Sequence, residues 1–149
     1  SVESIMGKLE GLFDMVALSG PEEPTSPKCF SMYIGGQWYA LSFKSTVDTF
    51  TDDAVLSLDV SLLQNYVLAP IFGVEDPRTD TGIEFVGGIR GLSTLSQRAD
   101  KHQSVAFSMY PTSMQELLKV ADSGTVMPPK STWFEPKLRT GMVVNRFRD

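Results

Sequence analysis

Apolar residues at Val2, Ile5, Met6, Leu9, Leu12, Phe13 and Val16 recur at spacings of three and four, with Glu3, Lys8 and Glu10 between them. That spacing predicts one helix reaching about Val16, with Ser1 or Ser4 as its cap. Residues 19–28 hold three prolines and no large apolar side chain, so the helix stops there and a loop follows. From Cys29 to Phe43 the period falls to two around Gly35-Gly36, which predicts a hairpin, since a two-residue turn needs the positive φ that glycine adopts freely. One register matches apolar with apolar: Ile34 opposite Gln37, with Phe30 facing Leu41 and Met32 facing Tyr39 on one side. Tyr33 then meets Trp38 on the other.

Beyond a polar connection at residues 44–53, Asp59 is the expected cap of a helix carrying Val60, Leu63, Tyr66 and Val67, ending near Pro70 or Gly73. A turn-rich loop at residues 75–82 leads to a predicted strand at Ile83–Val86. Leu92, Leu95 and Ala99 suggest a short helix, and Val105–Tyr110 the next strand. Thr112 and Gln115 have capping-box spacing for a helix with Met114, Leu117, Leu118 and Ala121 inside, closed by Gly124. Met142–Phe147 is the last predicted strand. This order predicts an α+β fold: a mixed, largely antiparallel sheet with helices packed mainly on one face.

Composition narrows the partners. At 149 residues and 42% hydrophobic, residues 1–149 suit one domain with a core that needs no metal or disulfide staple. Eighteen acidic against thirteen basic residues give a net charge of -5, which argues against nucleic acid as a partner. The single cysteine, Cys29, excludes an internal disulfide or a multi-cysteine zinc site and suits a reducing, cytoplasmic setting. The longest apolar run, Tyr66–Phe72, is too short to cross a bilayer, so no membrane role is expected. Helical pattern beginning at once, without an initiator Met, suggests a cut piece of a longer chain, although Met removal before Ser would look the same.

Candidate chemistry concentrates at Met127–Lys137, where Lys130, Ser131, Thr132 and Lys137 stand among three prolines. A stiff loop loses little entropy on binding, and lysine charge beside hydroxyl and N–H donors suits phosphate or carboxylate. The glycines of a Walker A loop are missing, so that motif is rejected. The plainer reading is a proline-stiffened crossover with solvated lysines. Gly87-Gly88-Ile89-Arg90-Gly91 before a helix offers Arg90 as a second anion ligand, against the alternative of a glycine-permitted chain reversal. His102, the single histidine, sits in a polar connector and reads as surface; Cys29 reads as a half-buried strand residue. Paired acids at 22–23 and 52–53, and Glu75, Asp76 and Asp80, read as solvated charge without calcium-loop spacing. No metal site is expected, and no cofactor or catalytic residue can be named.

The stretch Met127–Phe147, reading MPPKSTWFEPKLRTGMVVNRF, resembles the C-terminal signature of an uncharacterised bacterial family, the domain-of-unknown-function family numbered 1015. The order of Leu58-Asp59-Val60, Ile83–Gly88, Val105–Pro111 and Ala121–Gly124 is similar too. Trp133 stands where the family commonly has Tyr or Phe. Members are typically longer and carry an N-terminal Asp-Gly-His-His-Arg motif similar to the core of ParB and sulfiredoxin-like proteins, a group that includes free-serine kinases. With one histidine, this chain lacks that motif. The resemblance implies a domain that adds a wall to a small-molecule or phosphate site. Its parent would be a phosphotransferase acting on a metabolite such as serine, and this piece would be inert alone. The alternative is a non-catalytic interaction domain packing on the N-terminal portion of its own parent chain.

Overall fold

The computed structural model describes residues 2–131. The first helical pattern breaks early. Helix α1 covers Val2–Glu10, Leu12 N–H closes a turn onto the Leu9 carbonyl (2.9 Å), and strand β1 runs Phe13–Leu18. Phe13 and Val16 suit a helix's spacing of three, but the ladder decides: β1 pairs antiparallel over its whole length with the strand Gln37–Phe43, burying Phe13 and leaving Asp14 and Val16 outside. The expected single helix to Val16 is therefore corrected to a helix and an edge strand.

Strands β2 (Cys29–Ile34) and β3 (Gln37–Phe43) form the predicted hairpin in the predicted register, with Gly35 and Gly36 at φ 58° and 84°. Strand β4 (Ala106–Met109) pairs antiparallel with β2, giving the order β1-β3-β2-β4. Phe30, Met32 and Leu41 are fully buried on one face with Leu9, Phe13, Leu63 and Val67, and Tyr39 packs partly buried beside them. The rings of Phe13 and Phe43 lie 4.4 Å apart. On the other face Tyr33 and Trp38 pack with Ala99 and Leu95 of α4 (Leu92–His102). The fold is α+β, and two of the three helical regions packed on the sheet, α1 and residues 59–72, share the Phe30 face.

Helical residues 59–72 consist of α2 (Asp59–Leu63), a π-helical turn (Gln64–Leu68) and α3 (Ala69–Phe72), ending at Gly73 with φ 74°. Pro70 has no N–H to return to the Tyr66 carbonyl, and the helix widens in the turn before it. Asp59 is not the cap. The cap position is Leu58, without a side-chain bond, and the Asp59 carboxylate accepts the Lys28 N–H (2.9 and 3.0 Å). Asp53 organises the preceding turn, accepting the N–H groups of Val55 and Leu56 (both 2.8 Å).

Residues 83–86 join no ladder, correcting the predicted strand there. Phe85 is exposed, so the alternation has no buried face to build on, and Glu84 instead meets Arg98 of α4. Helix α5 (Met114–Asp122) is capped one residue later than expected, by Ser113 and Glu116: Glu116 N–H donates to Ser113 Oγ (3.2 Å) and Ser113 N–H to the Glu116 carboxylate (2.7 Å). This setting turns Val120 inward against Ala54 and Leu58 and leaves Met114 and Leu118 outside. The predicted strand Met142–Phe147 lies outside the described residues.

Candidate anion-binding site

After α5 the chain turns at Gly124 (φ 70°), passes Met127 packed on the Leu58–Val120 cluster, and reaches Pro128–Ser131. Ser131 Oγ donates to the Pro128 carbonyl (2.6 Å), and Thr112 Oγ1 donates to the Ser131 carbonyl (3.1 Å). Between these ties Lys130 adopts φ 58°, a left-handed conformation that costs a non-glycine residue on the order of 1 kcal/mol. The two hydrogen bonds hold that turn closed, and Lys130 stands exposed at its tip. Ser131, expected as a phosphate ligand, spends its hydroxyl proton bracing the turn. Thr132 and Lys137 lie outside the described residues.

Arg90 ends a 3-10 turn (Gly88–Arg90) and is exposed. Its carbonyl accepts Thr94 Oγ1 (2.7 Å), and Gly91 at φ 72° then starts α4, so glycine is required at the reversal. Among the described residues no hydrogen bond or ion pair joins Arg90 to Lys130 or Ser131. The structure thus brings Lys130 and Ser131 together and leaves Arg90 at the start of another helix. His102 is exposed at the end of α4.

A second group of polar residues was missed by sequence reasoning. Lys28 (φ 64°) precedes β2 and gives its N–H to Asp59, while its Nζ donates to Thr49 Oγ1 (3.1 Å) and to the Thr49 carbonyl (3.4 Å). Burial pushes the Asp59 carboxyl up to about 6, with Glu116 adding to the rise and the Lys28 N–H opposing it. Elsewhere, the Arg78 guanidinium holds Asp76 at about 2, and the bond to Asp100 raises the Tyr33 hydroxyl. The missed signal was the hairpin register itself: continued past Cys29–Ser42, it brings Lys28 beside Phe43 and Lys44.

No protein-family model, curated protein or solved structure matches the chain.

Proposed function

We propose that this domain belongs to a longer cytoplasmic protein resembling the family numbered 1015, and contributes Lys130, with Thr132, Lys137 and the backbone N–H of Ser131, to the binding of a small phosphate-bearing metabolite. The observation that carries this reading is the Lys130 turn: an exposed cation in a costly conformation, braced by Thr112 and Ser131. The braced turn fixes the backbone from which Lys130 projects, and a lysine meets phosphate as a point charge. Arg90 enters the same site only if the ligand spans to the start of α4. Transfer of the phosphoryl group would fall to residues outside this chain, because the histidine motif of the family is missing from it.

The second reading, an interaction domain seated on the rest of its parent chain, is favoured by Met114 (62% exposed), Leu118 (54%) and Val126 (84%), apolar residues along and just after α5. Calorimetric titration with phosphoserine separates the two. Lys130→Ala should weaken binding by roughly 1.5–3 kcal/mol with an unchanged melting temperature. Equal affinities for wild type and variant would return the loop to a structural role and favour docking through α5.

A further inference from the structure

The open end of the β2–β3 hairpin forms a shallow, wide-mouthed cleft of about 550 Å³ between Pro27–Cys29, Ser42–Phe43 and the loop 44–50, within the volume range of small-molecule sites. Its loop is tied down at several points. Tyr66 Oη donates to the Asp48 carbonyl (2.6 Å), Lys28 Nζ holds Thr49, and Val47 N–H returns to the Lys44 carbonyl (3.0 Å). Phe43 is locked from behind by the rings of Phe13 and Tyr66, with the Tyr66 ring 5.5 Å away. At the rim, Phe50 is 78% exposed.

Charge is the second observation. Lys28 and Lys44 line the cleft against one carboxylate, Asp48, which accepts the Phe50 N–H (3.1 Å). Lys28 Nζ meets the oxygens of Thr49, and Lys44 Nζ the Glu10 carbonyl. Among the described residues the ion pairs are Arg78 with Asp76 and Arg98 with Glu84, so neither cleft ammonium is in an ion pair, although the Asp59 carboxylate sits on the Lys28 backbone N–H. In a chain of net charge -5, two ammonium groups outside any described ion pair on one concavity offer an anion local positive charge. Hydroxyls of Ser42, Ser45 and Thr46 complete the lining.

We propose that this cleft binds a small anionic metabolite, its phosphate or carboxylate meeting Lys28 and Lys44 and its apolar body resting on Phe43 and Phe50. The site is separate from Lys130 and stands without it.

Cys29 lines the cleft and is the single cysteine of the chain, so its alkylation by iodoacetamide reports on occupancy. Phenyl phosphate, benzoate and benzyl alcohol serve as probes on the 149-residue chain, with amide shifts of residues 28 and 44–50 followed in parallel. Phenyl phosphate or benzoate should slow alkylation and shift those amides, and whichever acts at lower concentration identifies the preferred anion. Lys28→Gln with Lys44→Gln should weaken that effect roughly tenfold or more, the scale of one lost charge-assisted hydrogen bond. Lys130→Ala should leave it unchanged. Equal protection by benzyl alcohol, or no protection by either anion in the wild-type protein, would overturn the proposal whether or not the double variant folds.

Discussion

The two faces of the sheet bury their side chains under very different cover. On one, Phe30, Met32 and Leu41 lie beneath α1 and residues 59–72, in a cluster knit by the rings of Phe13, Phe43 and Tyr66. On the other, Tyr33 and Trp38 lie beneath α4, whose buried contribution is Ala99, and a hydrogen bond from Tyr33 Oη to Asp100 (2.9 Å) fastens the helix. Ser31, buried on this same face, is covered by the loop at residues 19–28, where Glu22 offers its carbonyl. The large face is therefore expected to carry most of the cooperative stability of the domain, and the small face to hold a helix that opens at lower cost. Local opening free energies follow buried apolar contact in this way.

Phe30→Ala tests the large face and should cost about 3–5 kcal/mol, because its ring is fully buried among rings with little freedom to collapse. Denaturant unfolding should show one transition with a lower midpoint. A loss below about 1 kcal/mol would mean the cluster is not the source of stability.

Trp38→Leu tests the small face and should cost roughly 2 kcal/mol from lost apolar area. Hydrogen exchange should rise throughout α4 while the β1–β3 ladder stays protected. If ladder and helix lose protection together, the two faces form one cooperative unit and the comparison fails.

The smallest effect is expected at Asp59, which links the start of β2 to the start of α2. Its carboxyl is raised from 3.8 to about 6 in the folded chain, so across that window the folded state keeps a proton that the unfolded state has released. Its contribution is present below the lower value and is lost as pH rises through about 6. Asp59→Asn, which cannot ionise, should therefore gain in melting temperature relative to wild type as pH rises across this window, with the difference levelling above it. Partial exposure screens the effect and keeps it below that of Trp38. A difference that stays flat with pH would place the Asp59 carboxylate in a solvated setting.

Much of the functional reading was legible only in part, and the reason is local in each case. Lys130 and Ser131 drew attention because lysine, hydroxyls and prolines adjoin in the chain, and the structure adds Thr112, nineteen residues away, as the brace. Lys28 and Lys44 are each ordinary in sequence; they become a pair because the hairpin brings its two ends together.

The hairpin was decided by sequence alone, since Gly35-Gly36 permits the turn and a single-residue slip would put Phe30 and Met32 on the opposite face from Leu41. The fold class followed from the order of periods along the chain. Tertiary structure decided what short patterns leave open. Phe13–Leu18 became a strand because it pairs along β3, whereas residues 83–86 join no strand, with Phe85 exposed and Glu84 held to Arg98 of α4. Val120, rather than Leu118, turned inward because the Leu58 cluster lay on that side of α5. Periodicity states which residues can share a face; whether that face is buried depends on a partner that only the folded chain supplies.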